Sequence, residues 1–258
     1  MNETIVIKCG GSTLEQLSQP FFESVVELKN AGKQVVLVHG GGPEIKNLLT
    51  TLQIESSFVN GLRQTSTDVL DAVLMTLAGK VNKQLVSKLQ RIGFNAFGCT
   101  GIDGAILKVT AKDKEKLGFV GEIADVNGTF LKDLLKLDMI PVLAPLGLDD
   151  DGQIYNINAD SVAGAVANEL KAKQLLFVTD VDGIMKEGQL IAALNESEVQ
   201  NLIEDGTIYG GMIPKVEAAL LSLTGTLNEV VIVNGKGANV MKNGDMIGTK
   251  ITKVTEVV

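Results

Sequence analysis

The strongest constraint in this sequence is a series of short, continuous apolar runs, each ending in a glycine-containing turn and separated from the next by a longer amphipathic stretch. The runs are TIVIKCGG (4–11), QVVLVHGGG (34–42), MIPVLAPLG (139–147), QLLFVTDVDG (174–183) and EVVIVNGKG (229–237). A strand that is apolar on both faces must be covered on both faces, which selects a mainly parallel sheet between two helical layers. The fold class is therefore α/β, a three-layer αβα sandwich. Helices are predicted over 19–31, from Pro43 to about residue 52, and over 67–92, 158–171, 196–205 and 212–224. Pro43 suits a first helical turn. Asp68 and Asp71 favour the start of the 67–92 helix, and Gly93 follows its end. GFVGEIADVNG (118–128) reads as a small antiparallel ribbon. No linker, repeat or low-complexity segment interrupts the 258 residues, so a single domain is expected, cleft into two lobes.

Composition narrows the function. One histidine excludes chemistry or zinc binding that needs several imidazoles. A net charge of -8, 4% aromatic residues and no tryptophan argue against a nucleic-acid partner. No stretch approaches the ~20 apolar residues of a membrane span, so no membrane is expected as a partner. The N-terminus lacks the charged and apolar regions of a signal peptide. Two distant cysteines, Cys9 and Cys99, form no CxxC motif and fit a reducing, cytoplasmic setting. Glycine is in excess, with 28 residues, or about 11% against the usual ~7%.

Those glycines sit where ligands bind in an open α/β sheet, beyond the carboxyl ends of the strands. Bare backbone N–H groups beside a helix N-terminus make an anion site. The common phosphate motifs are nevertheless missing. No Gly-Lys pair is followed by Ser or Thr, and the 40–45 segment lacks the dinucleotide spacing. Lys8, after Ile5-Val6-Ile7, falls at the carboxyl end of the first strand. Lys215 opens a helix, where a cation opposes the dipole and hints at an anionic ligand. Asp160 reads either as a helix cap or first-turn acid, or as a functional carboxylate. Arg63 carries a guanidinium fork suited to a carboxylate. His39 reads as a satisfied strand-end histidine, and Cys9 as a buried, inert thiol.

The segments IKCGG (7–11), VHGGGPEI (38–45), NGLRQT (60–65), NINAD (156–160), FVTDVDGIM (177–185), GGMIPKV (210–216) and IGTKI (247–251) occur in the order found in the amino-acid kinase family, which the sequence resembles over nearly its whole length. The resemblance implies ATP-dependent phosphorylation of the side-chain carboxylate of N-acetyl-L-glutamate, giving an acyl phosphate in arginine biosynthesis. It makes Lys8 and Lys215 catalytic cations, with Lys8 on the transferring phosphoryl group, and Asp160 the carboxylate that orients both lysines. It puts Gly41, Gly42, Arg63, Asn156 and Asn158 on the acyl substrate. Gly10, Gly11, Asp180, Val181, Asp182, Gly183, Ile184, Met185, Tyr209, Gly210 and Gly211 would surround ATP, with Gly235 and Lys236 as neighbours. Residues 1–173 would form the acyl-substrate and dimer lobe, and 174–258 the nucleotide lobe. Mg²⁺ is expected on the phosphate oxygens, without a dedicated set of protein ligands.

The chemistry is compatible with the composition. Phosphoryl transfer needs positioning and charge neutralisation more than covalent participation. A carboxylate acceptor, with a reference pKa near 4.3, is already ionised at pH 7, so no general base is needed. Glutamate or N-acetylaminoadipate as acceptor, and a non-catalytic nucleotide sensor on the same fold, remain alternatives. Arginine-inhibited relatives typically carry an extra helix before the first strand. With that strand starting at about Thr4, a homodimer without arginine feedback is expected. Replacing Arg63→Lys should raise KM for the acyl substrate more than it lowers kcat in steady-state assays; an unchanged KM would remove Arg63 from that subsite.

Overall fold

The computed structural model describes residues 3–11, 14–237, 241–242 and 245–253. The apolar runs form the middle of an eight-stranded sheet. Its order is Ala193–Asn195, Gly248–Thr252, Glu229–Asn234, Gln174–Thr179, Thr4–Cys9, Gln34–His39, Ile140–Ala144 and Ala96–Thr100. All neighbours are parallel except Glu229–Asn234 with Gly248–Thr252. The first strand is central, flanked by Gln34–His39 on one side and Gln174–Thr179 on the other. The chain direction across the sheet switches there, and the crevice at such a point is where α/β proteins bind ligands.

Alternation along the central strand decides what each residue meets. Ile5, Ile7 and Cys9 enter one core with Phe21, Val25 and Leu28 of helix Gln19–Asn30 and Leu85 and Leu89 of helix Asn82–Arg91. Val6 enters the other core with Val162, Ala163 and Val166 of helix Ala159–Glu169 and Val216 and Ala219 of helix Ile213–Ser222. Lys8 follows Val6 on that second face. It therefore reaches toward the start of helix Ala159–Glu169.

The long helix expected over 67–92 is instead three pieces: an α-helix Thr67–Leu74, a π-helical segment Met75–Val81 and an α-helix Asn82–Arg91. The wider π turn lets Leu77, Val81 and Asn82, four and five residues apart, all turn inward and be buried. The segment 118–128, expected to form a small antiparallel ribbon, contributes one strand, Gly121–Val126, whose antiparallel partner Leu107–Ala111 lies outside it. These two belong to a second sheet ordered Ile154–Asn156, Leu146–Leu148, Leu107–Ala111, Gly121–Val126. Gly128 already starts an unanticipated helix, Gly128–Lys136, which buries Leu131, Leu134 and Leu135. Among the described residues no helix is long and apolar enough to cross a membrane.

Leu37 is fully buried in the middle of the central sheet. Leu37→Ala should lower unfolding free energy by roughly 2–5 kcal/mol in urea titrations, through lost burial and the cavity left behind.

Candidate active site

Two glycine turns meet at the carboxyl edge of the sheet. A Cβ on Gly11 would lie 2.7 Å from the Gly42 nitrogen and 2.8 Å from that of Gly41. Only hydrogen fits there, so the turn after the first strand rests directly on the backbone amides of the turn after the second. Gly41 caps helix Gly42–Thr51, and Pro43 lies in its first turn. The positive end of that helix thus faces the crevice.

Lys8 and Asp160 form an ion pair, Nζ to Oδ1 2.7 Å, in which the lysine side chain is only 14% exposed. The Lys8 ammonium also lies 5.9 Å from the centroid of the Phe177 ring. Asp160 is in the first turn of helix Ala159–Glu169, while the cap itself is Asn158, whose Oδ1 accepts from the amides of Asp160 and Ser161 at 2.8 and 3.1 Å. The sequence left open whether Asp160 was itself a cap; it is the first-turn acid paired to Lys8. Asn158 Oδ1 is fully engaged, which leaves its amide N–H₂ end to donate. Asn156 Nδ2 donates to Thr65 Oγ1 at 3.2 Å.

Lys215 departs from expectation. It bonds Asp180 Oδ1 at 2.8 Å, so Asp160 orients Lys8 and Asp180 holds Lys215. The reason is where the helices start. Lys215, near the N-terminus of Ile213–Ser222, reaches the loop that follows strand Gln174–Thr179, which carries Asp180. Lys215 lowers the Asp180 pKa, chiefly through this hydrogen bond. The two helices that present Asp160 and Lys215 are packed closely. A Cβ on Gly164 would lie 2.8 Å from Ser222 Oγ, and Asn168 Nδ2 bridges the Gly164 and Ser222 carbonyls.

Arg63 sits on the hairpin Phe58–Val59/Leu62–Arg63, whose tip Asn60-Gly61 has φ of 49° and 77°, the left-handed pair of a tight hairpin turn. Its guanidinium lies over the Phe58 ring, 4.6 Å to the centroid, and donates to Ser56 Oγ at 3.0 Å and to the Gly42 carbonyl at 3.5 Å. The arginine and the glycine turn are thereby joined. A cavity of about 840 Å³ lies between the hairpin tip, the second sheet and the two close-packed helices, with Asn60, Gly61, Asn158, Asp160 and Gly121 in its wall. A large concave site with a few converging polar groups is the expected setting for a small-molecule substrate.

The expected nucleotide side is a second group of loops. Asp182 Oδ1 accepts from Asn234 Nδ2 at 2.7 Å, and Asn234 Oδ1 accepts from the Lys236 amide at 2.8 Å. The Gly235 amide donates to the Thr179 carbonyl. Gly183, at φ 139°, would put a Cβ 2.6 Å from Thr249 Oγ1. Val181 is half-buried, while Met185, Tyr209, Gly210 and Gly211 are exposed. Ile184 differs from its neighbours: its side chain is buried, its N–H donates to Thr249 Oγ1 and its carbonyl accepts from Ile191. Among the described residues no group of three or more His, Cys, Asp or Glu is arranged to hold a metal.

Burial pushes the thiols of Cys9 and Cys99 up to about 12, so neither is a nucleophile at neutral pH. His39 is fully buried, and its Nδ1–H donates to the Gly40 carbonyl at 2.8 Å. Its Nε2 accepts from Asn82 Nδ2 at 3.1 Å, and the same Nδ2 contacts the carbonyls of Cys99 at 3.2 Å and Val142 at 2.8 Å. Asn82 carries no recognisable sequence signal; only its burial among three acceptors reveals it.

The profile of the amino acid kinase family matches residues 3–234. An acetylglutamate kinase of Geobacillus stearothermophilus is 52% identical over 253 residues, covering 98% of each chain. The solved smu.665 protein of Streptococcus mutans UA159 is 34% identical with a TM-score of 0.84, over 98% of this chain and 99% of that one. A carbamate kinase of Giardia lamblia bound to AMP-PNP shares the fold, at 19% identity and a TM-score of 0.71, over 98% of this chain and 99% of that one.

Burial lowers the His39 pKa from 6.5 to about 4. The unfolded chain therefore takes up this proton more readily than the folded one. The stability linked to neutral His39 is fully present above about pH 6.5 and is lost as pH falls toward 4. Urea titrations should show a loss of about 2 kcal/mol from this group between pH 7 and pH 5, and His39→Gln should flatten that part of the profile.

Proposed function

The chain belongs to the amino acid kinase family, and we propose that it catalyses ATP-dependent phosphorylation of the side-chain carboxylate of N-acetyl-L-glutamate, a step of arginine biosynthesis. The observation that carries this reading is the Lys8–Asp160 ion pair at the carboxyl end of the central strand, whose Asp160 lines the 840 Å³ cavity. The name borne by relatives at about half identity over the full chain points the same way.

In the reaction a substrate carboxylate oxygen attacks the γ-phosphorus of ATP. The new O–P bond forms as the bond to the β-phosphate oxygen breaks, leaving N-acetyl-L-glutamyl 5-phosphate and ADP. The acceptor arrives ionised and no proton is transferred, which suits a site whose one imidazole is buried. The difficulty is bringing a carboxylate to a polyphosphate. Lys8 supplies positive charge at the meeting point, and Asp160 fixes where its ammonium stands. Lys215 does the same on the nucleotide side from Asp180. The amides of Gly41 and Gly42 offer donors to the acyl substrate, and the turn of Gly10 and Gly11 lies beside them on the nucleotide side. Arg63, Asn156 and Asn158 hold the acyl substrate.

Residues 1–173 carry the acyl substrate and 174–258 the nucleotide, with the loops at Asp180–Gly183, Tyr209–Gly211 and Gly235–Lys236 around ATP. Mg²⁺ would accompany the nucleotide and would neutralise part of the phosphate charge. The two carboxylates of the expected nucleotide loop are already engaged, Asp180 by Lys215 and Asp182 by Asn234, which fits a metal held by phosphate and water. A homodimer belongs to this reading, with the helical segment 67–92, where Met75 is exposed, as its candidate surface.

A coupled ADP-release assay across N-acetylglutamate, glutamate, N-acetylaminoadipate and aspartate should give the highest kcat/KM with N-acetylglutamate. ATP binding without ADP release on any of them would overturn the proposal in favour of a nucleotide sensor. Lys8→Ala and Lys215→Ala should each lower kcat by about 10²–10³-fold while circular dichroism and Tm stay near the parent values. Near-normal turnover would defeat the assignment of the lysine concerned.

A further inference from the structure

His39 is buried and takes no part in the chemistry above, yet it touches the site at one informative atom. The Gly40 carbonyl that accepts from its Nδ1–H belongs to the same rigid peptide unit as the Gly41 N–H. In a planar trans peptide the two point in opposite directions. Holding the carbonyl toward the imidazole therefore aims the Gly41 N–H the other way. Three consecutive glycines have little intrinsic resistance to a flip of that peptide. The restraint must come from outside the turn.

We infer that His39 and Asn82 are positioning residues that lock the Gly40–Gly41 peptide, and so aim the Gly41 N–H at the acyl substrate. Asn82 contributes by fixing the ring. Its Nδ2 donates to Nε2, which requires the proton on Nδ1, where it meets the Gly40 carbonyl. Asn82 is itself anchored to the Cys99 and Val142 carbonyls of the two neighbouring strands, and its Oδ1 accepts from Lys83 Nζ at 3.1 Å. The π-helical segment provides this reach, because it turns Asn82 inward together with Leu77 and Val81. Those two apolar side chains close the space beside Gly41: a Cβ there would lie 2.6 Å from Leu77 Cδ2 and 3.3 Å from Val81 Cγ2.

The inference rests on the proposed acyl-substrate role of Gly41, and two histidine variants test it. His39→Asn keeps an N–H donor near the Nδ1 position and gives up the link to Asn82. His39→Gln keeps an acceptor for Asn82 and gives up the donor to Gly40. The expected result is an acyl-substrate KM raised at least tenfold in His39→Gln and less than threefold in His39→Asn, with KM for ATP within twofold of the parent in both. Asn82→Ala should move in the same direction as His39→Gln. Equal effects of the two histidine variants, or a parallel rise in both KM values, would overturn it. Amide hydrogen exchange over residues 40–45, measured on the ligand-free protein, needs no turnover. Faster exchange at Gly41 in His39→Gln than in His39→Asn supports the lock, and equal exchange refutes it. If the parent protein fails to phosphorylate N-acetylglutamate, the functional proposal falls, and the exchange measurement still decides the lock. Should Asn82→Ala not fold, the histidine pair is sufficient.

Discussion

The arrangement of this protein depends on a backbone-to-backbone contact at the centre of the sheet's carboxyl edge. Gly11 lies against the Gly41 and Gly42 nitrogens at a spacing that no side chain could share. The contact requires adjacent parallel strands, Thr4–Cys9 and Gln34–His39, in register so that Cys9 stands beside His39. Once it exists, several donors converge on a small volume, and the helix that begins at Gly42 adds its positive end. The lysine one residue before Cys9 then projects from the same edge on the other face of the strand.

Charge is distributed around that edge as two pairs, Lys8 with Asp160 and Lys215 with Asp180. Each carboxylate fixes where its lysine ammonium stands. Both pairs come from helix starts or strand ends, so their separation is governed by how the helices Ala159–Glu169 and Ile213–Ser222 pack. The small residue Gly164 and the bridging Asn168 make that packing close. Fold and electrostatics are here one problem: a bulkier residue at Gly164 would move a helix, and with it a charge.

The parts of this arrangement that are local were readable from the amino-acid order. Apolar runs ending in glycine marked the central strands, and Lys8 could be placed on a strand end because Ile5-Val6-Ile7 precede it. The strands beyond Glu229–Asn234 were not readable in this way. Gly248–Thr252 buries only Thr249 and Ile251, and the alternating pattern of a half-covered strand is weak over five residues. Helix Gly128–Lys136 was missed because its buried leucines follow a strand that ends one residue before its cap. Partner choice was the least legible feature. Asp160 and Asp180 are equally good carboxylates on paper, and which one meets Lys215 depends on where a helix starts relative to a loop 30 residues away. Asn82 has no motif at all; its importance lies in three acceptors contributed by residues 39, 99 and 142.

The central position of the first strand also has a consequence for synthesis. Thr4–Cys9 emerges from the ribosome first and gains Gln34–His39 soon after, but its other neighbour, Gln174–Thr179, is made much later. At typical rates the intervening residues take roughly 7–28 s to add. Throughout that interval the apolar strand at the centre of the sheet has one open hydrogen-bonding edge, the kind of surface that recruits other chains. The site that gathers phosphate and carboxylate at the midline is therefore bought with a nascent chain that must be kept from pairing with its neighbours until its second half arrives.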